Sequence, residues 1–161
     1  MIPDKFKIFN PELFAKGKRG LIYTFKIGNK IIALKTKNPD SKAINRIENE
    51  ANFLKLLNKY KIGSKLIDYG KGFITYEFIK GVTLKEFLKD NKLNKKIILN
   101  IKRQCEILDK LKINKEEMHY PVKNIIINKN KPVLIDFERC GYTLRPKNLN
   151  QFKQFLKRFN L

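Results

Sequence analysis

The sequence predicts an α+β protein in two unequal lobes. Three observations predict it. Residues 21–27 alternate and are rich in β-formers, and short Gly-containing turns at 28–29 and 70–72 split 21–35 and 65–79 each into two strand-like stretches. Apolar residues recur at helical spacing between these stretches and again beyond residue 83. Strands gather early and the longer helices late, unlike the regular alternation of a parallel α/β chain.

Taken in order, 21–27 (LIYTFKI) is rich in β-formers, Gly28-Asn29 turns the chain, and 30–35 (KIIALK) returns as the second strand of a hairpin. The polar loop TKNPDS follows, with Asp40 or Ser41 as the expected N-cap of a helix over about 42–59. Ile44, Ile47, Ala51, Leu54 and Leu57 form its apolar stripe, and Gly63 ends it. KLIDYG, a Gly70-Lys71-Gly72 turn and FITYEFI make a second hairpin. Gly81 breaks that pattern and is the expected hinge between a lobe at 1–80 and a lobe at 81–161. Thr83 caps the short helix LKEFLKD, and a longer helix over about 94–111 aligns Ile97, Ile101, Cys105, Leu108 and Leu111. NIIIN and PVLID are short strands around a turn at 128–131. The tail forms an amphipathic helix whose stripe of Phe152, Phe155, Leu156 and Phe159 reads as core packing.

A chain of 161 residues, 42% hydrophobic, has enough apolar side chain for a real core, which excludes global disorder. No apolar run approaches the length of a membrane span, and MIPDKFKIFN lacks the apolar core of a secretion signal, so a cytoplasmic protein without membrane attachment is expected. Cys105 and Cys140 fit neither a disulfide framework nor a metal motif and read as buried thiols. With 36 Lys and Arg against 15 Asp and Glu, the net charge is +21. Such a field attracts polyanions such as nucleotides, RNA and phosphorylated proteins. The basic residues are spread along a chain also rich in Ile and Asn, so biased composition accounts for the charge equally well.

Gly17 and Gly20 stand at G-x-x-G spacing before the first strand, where missing Cβ atoms let backbone amides approach phosphate oxygens; two ordinary turn glycines would look the same. In KIIALK the strand period puts Ala33 and Lys35 on one face and Ile32 and Leu34 on the other. A lysine inside an apolar strand needs an anion unless it lies at a solvated edge. Glu50, on the following helix, is the expected partner, because Leu54 and Leu57 mark its side as the packed one. Glu48 is rotated away by roughly 160–200 degrees on a helix of about 3.6 residues per turn. Asp136 closes the strand PVLID, and antiparallel pairing of the two late strands brings it beside Asn124. An amide oxygen and a carboxylate together make a hard-oxygen site suited to Mg²⁺.

In chain order, Gly17-x-x-Gly20-x-Ile22, Ala33-Leu34-Lys35, Glu50, Glu77-Phe78-Ile79, Asn124 and Asp136-Phe137 resemble the signature set of protein kinases, over about residues 13–138. The likeness is to small archaeal kinase-like proteins, grouped with the RIO, lipopolysaccharide-kinase and KEOPS-subunit kinases. The resemblance implies a bilobal fold, with an antiparallel N-lobe sheet plus one helix and a truncated helical C-lobe. It also implies a serine/threonine-type phosphotransferase using ATP and Mg²⁺. By that likeness Lys35 pairs the α/β-phosphates, Glu50 orients Lys35, and Asn124 and Asp136 hold Mg²⁺. The backbone of Glu77 and Ile79 meets the adenine edge, and Ile22 and Ala33 cover its face.

The sequence departs from that pattern in three places. Where the kinase catalytic loop carries H-x-D before its Asn, this chain carries Glu117-Met118-His119, so the usual carboxylate base is missing. A neutral imidazole at His119 can accept a hydroxyl proton, Glu117 can reach in from a rebuilt loop, or His119 only shapes the loop. Glu138 replaces the Gly after Asp136-Phe137, which predicts a fixed loop with an extra carboxylate, or else a solvent-facing Glu138 paired with Arg139. Only 139–161 follow, too few residues for a peptide-docking platform, so the acceptor is expected to be a protein partner, an anionic macromolecule such as tRNA, or a small substrate. The alternatives are a nucleotide-binding pseudokinase and an RNA-binding scaffold. Small-molecule kinases keep the loop Asp and fit less well.

Overall fold

The computed structural model describes residues 1–42 and 44–161 as an α+β chain. It divides into two compact units, Met1–Phe78 and Ile79–Leu161.

The first unit runs α1 (Asp4–Lys7), β1 (Glu12–Lys16), β2 (Gly20–Ile27), β3 (Lys30–Lys37), α2 (Arg46–Leu57), a 3₁₀ turn at Asn58–Tyr60, β4 (Leu66–Gly70) and β5 (Phe73–Glu77). Its five strands form an antiparallel sheet in the order β1-β2-β3-β5-β4. The hairpin read at 21–35 is β2–β3, paired from Gly20↔Lys37 to Ile27↔Lys30. The second hairpin is β4–β5. β1 left no signal, because this edge strand buries neither face and its exposed Leu13 and Phe14 are adjacent rather than alternating.

Both faces of β3 are covered. Phe25, Ile32, Leu34 and Phe73 form one buried cluster with Phe6 of α1, whose ring meets Phe73 edge-on at 5.3 Å. Register puts Ile22, Ala33, Lys35, Ile74 and Tyr76 on the other face. α2 starts later than the sequence suggested. Its N-cap is Asn45, at φ 55, with no side-chain cap. Asp40 and Ser41 are engaged in a turn around Asn38, whose side-chain oxygen accepts from the Asp40 N–H and whose carbonyl accepts from the Ser41 N–H. Ile44, expected on the helix stripe, precedes the helix and is exposed. Ala43, within the expected helix start, lies outside the described residues.

The second unit runs β6 (Val82–Thr83), α3 (Leu84–Asp90), α4 (Lys95–Lys110), β7 (Ile113–Asn114), a 3₁₀ turn at Pro121–Lys123, β8 (Ile125–Asn128), β9 (Lys131–Leu134), β10 (Gly141–Tyr142) and α5 (Asn148–Phe159). β6-β8-β9 make one small sheet and β10-β7 a two-stranded one. The β8–β9 turn is the two-residue type that matches strand twist, with Lys129 and Asn130 both at positive φ. Thr83 and Glu86 form a reciprocal capping box on α3. Ile97, Ile101, Cys105 and Leu108 of α4 are buried, as are Phe152, Phe155 and Leu156 of α5, and the two helices pack together. Leu111 has slipped past the helix end to its C-cap, and Phe159 is 45% exposed. Burial, reinforced by the Asp109 charge, pushes the Cys105 thiol up to about 12. No helix among the described residues is long and apolar enough to cross a membrane.

Gly81, the expected hinge, lies inside the second unit and has a packing role there. A Cβ at this position would meet the Ile127 carbonyl oxygen at 2.5 Å and Ile126 Cγ2 at 2.7 Å. Gly81→Ala is therefore expected to destabilise the protein by about 1–3 kcal/mol through overpacking against β8. An unchanged denaturant midpoint in this variant would count against that packing role.

Candidate functional site

In the first unit the site is built around Lys35. β3 carries it on the face away from the Phe6 cluster, opposite Ile22 of β2 and Ile74 of β5. Its Nζ lies 2.6 Å from Glu50 Oε2, with side-chain exposures of only 10% and 4%. Helical phase decides which glutamate reaches it. Glu50 faces the sheet, while Glu48 accepts from the Gly72 N–H at 2.8 Å. Two charges withdrawn from water cost several kcal/mol each, offset here by close contact, so the pair stabilises the fold little and fixes an ammonium in one place.

Gly20 lies against the lysine stem. A Cβ there would come within 3.1 Å of Lys35 Cε and 3.2 Å of the Thr36 carbonyl oxygen. The Gly17 N–H donates to the Gly20 carbonyl at 2.8 Å, and the Gly17 carbonyl accepts from Asn38 Nδ2 at 3.0 Å. The 17–20 turn is thus tied to the chain just beyond β3, and the Gly17 amide, expected among the phosphate-facing groups, is spent on closing it. Ile22 and Ala33 share the Lys35 face, as does Tyr76. Glu77 follows at the end of β5. Its N–H donates to the Lys65 carbonyl, and its carboxylate pairs with Lys30 at 2.8 Å. That bond from Lys30 holds the Glu77 carboxyl below its usual range. Ile79 is the first residue of the second unit.

In the second unit the β8–β9 ladder extends by one bond, from the Ile135 N–H to the Asn124 carbonyl at 2.9 Å. Asn124 thus sits opposite Ile135, next to Asp136. Asn124 Nδ2 donates to Glu117 Oε2 at 2.8 Å, which leaves the amide oxygen as the end able to accept or ligate. Asp136 takes φ 63, the left-handed region that costs a non-glycine residue about 1–2 kcal/mol and recurs where a side chain must be aimed. One of its carboxylate oxygens lies within 4.8 Å of one from Glu138, which is buried. Asn124, Asp136 and Glu138 thus offer hard oxygens, the chemistry Mg²⁺ selects.

The catalytic-loop substitutes are placed differently from each other. Both Glu117 oxygens are engaged, Oε2 by Asn124 and Oε1 by Arg139 Nη1 at 2.9 Å. Arg139 also pairs with Glu116 at 2.8 Å, so it turns to these two glutamates, and Glu138 is not the solvent-facing partner that the plain alternative supposed. Glu116 and Glu117 both take positive φ, which bends the chain so that both carboxylates meet one guanidinium. His119 is exposed, and among the described residues it makes no hydrogen bond or ion pair. Among the described residues no hydrogen bond orients the imidazole as a base requires.

One residue of this region gave no sequence signal. Lys115 is 2% exposed, with Nζ 3.1 Å from the Asp136 carbonyl oxygen and 5.2 Å from the Phe137 ring centre. It is one of 36 basic residues, and no periodicity distinguishes it from the solvated ones. No protein-family model matches the chain, and no curated protein matches it either.

Proposed function

We propose that this chain is an ATP- and Mg²⁺-dependent phosphotransferase of the atypical protein-kinase type, resembling the small archaeal kinase-like proteins. The observation that carries the proposal is the buried Lys35–Glu50 pair beneath Gly20. A sheet lysine held by a helix glutamate is an arrangement in which the ammonium is aimed at anionic phosphate oxygens. Lys35 then neutralises phosphate charge, Glu50 holds it, and Ile22 and Ala33 offer an apolar face to the base. Asn124 and Asp136 hold Mg²⁺, with Glu138 as a further carboxylate. The bound metal ion supplies charge neutralisation of the nucleotide phosphates.

A second proposal, nucleotide binding without transfer, draws on the catalytic loop. Glu117 is engaged with Asn124 and Arg139, and His119 has no orienting partner among the described residues. Phosphoryl transfer relies mainly on positioning and charge, so a weak base slows the reaction without abolishing it. The acceptor we propose is a protein or an anionic macromolecule such as RNA. Segment 139–161 contains six Lys and Arg and no acidic residue, with Arg145, Lys147, Lys153, Lys157 and Arg158 exposed.

Thermal melting with ATP, with and without Mg²⁺, combined with labelled-phosphate transfer, tests these proposals. Mg²⁺-dependent stabilisation with measurable transfer is the expected result. His119→Ala then lowers transfer by about 10²-fold if the imidazole is the base, while Glu117→Ala lowers nucleotide affinity by removing the acceptor that holds Asn124 Nδ2. Stabilisation without transfer selects the second proposal. Absence of any nucleotide effect on the wild-type protein removes both.

A further inference from the structure

We propose that Lys115 is a positioning residue that holds the Asp136-Phe137 turn in its left-handed conformation; its role in metal binding rests on the nucleotide-binding function proposed above. A buried ammonium needs polar partners, because desolvating the charge is costly, and one of those of Lys115 is a main-chain carbonyl. Here the carbonyl belongs to Asp136, the residue of this turn at positive φ. Phe137 is 1% exposed, and its ring lies 5.2 Å from the same Nζ, within cation–π range. Lys115 thus grips two consecutive residues of the turn, one through its backbone and one through its ring.

Lys115 is itself anchored from the helices. Its N–H donates to Asn148 Oδ1 at 2.8 Å. Asn148, fully buried at the start of α5, donates from Nδ2 to Asp109 Oδ1 of α4 at 2.7 Å and to the Ile113 carbonyl at 2.6 Å. A bonded path therefore runs from α4 through Asn148 and Lys115 to Asp136. The left-handed residue of the turn is Asp136 and not a glycine, so backbone freedom does not supply the conformation. Lys115 supplies it instead, by stabilising one orientation of the Asp136 peptide and with it the direction of the carboxylate.

The test uses the full chain and Lys115→Met, which keeps the length and removes the charge. Hydrogen exchange is read first, because it needs no ligand. Faster exchange over 135–140, with exchange in α4 unchanged, is expected. Affinity for a fluorescent ATP analogue is then measured with Mg²⁺ and with EDTA. The gain due to Mg²⁺ is expected to fall about tenfold in the variant, while the metal-free affinity stays the same. A wild-type protein that binds no nucleotide defeats the proposed function, yet the exchange result still decides whether Lys115 holds the turn. A folded variant with wild-type exchange at 135–140 overturns the proposal. Lys115→Gln, whose shorter side chain falls short of Asp136, serves if the methionine variant does not fold. Failure of both to fold assigns Lys115 to general stability and overturns the positioning role.

Discussion

Lys35→Met is expected to destabilise the protein by about 3–5 kcal/mol, because it leaves the Glu50 carboxylate buried without its ammonium. It should also eliminate ATP-dependent stabilisation. Loss of binding in an unstable variant proves little, so the informative comparison is the double variant Lys35→Met/Glu50→Leu. Replacing both charges with apolar groups of similar volume removes the desolvation cost along with the attraction, and such exchanges are often neutral or stabilising. The double variant should therefore recover most of the lost stability while remaining unable to bind ATP. Chemical denaturation and nucleotide titration on the same three proteins measure this. If the double variant binds ATP like the wild type, the pair is only a structural ion pair and the functional proposal loses its main support.

Substitutions at Asp136 should separate its side chain from its backbone. Asp136→Ala and Asp136→Gly both remove the carboxylate, and both should lose Mg²⁺-dependent nucleotide binding. Their stabilities should differ, because φ 63 suits glycine and strains alanine. The glycine variant is expected to be more stable than the alanine variant by about 1–2 kcal/mol. Retention of Mg²⁺-dependent binding in the glycine variant alone would show that the backbone of this turn, and not the carboxylate, matters for the metal.

Local sequence carried much of both units. β2 and β3 follow from β-forming residues around the Gly28-Asn29 turn, and α4 from the stripe of Ile97, Ile101, Cys105 and Leu108, because each is a short-range signal. The choice of Glu50 over Glu48 came from helical phase alone, since the apolar residues of α2 state which side faces the sheet. β1 and β10 were invisible because neither strand buries a face. The start of α2 was misplaced because Asn38 bonds its own neighbours, and such side-chain turns compete with helix formation.

What the sequence by itself determined is the inventory: an α+β chain, the order of its main strands and helices, a lysine and a glutamate placed to meet, and an Asn and an Asp brought together by two short strands. What only the tertiary structure decided is how each polar group is used. It withdrew Lys115 from water to hold Asp136, engaged Glu117 with Asn124 and Arg139, left His119 exposed, and pressed Gly81 against β8. The physical reason is range. Periodicity reports which side of an element is buried, whereas the partner of a buried charge, or the backbone crossing a glycine, comes from a distant part of the chain and leaves no trace in the neighbouring residues.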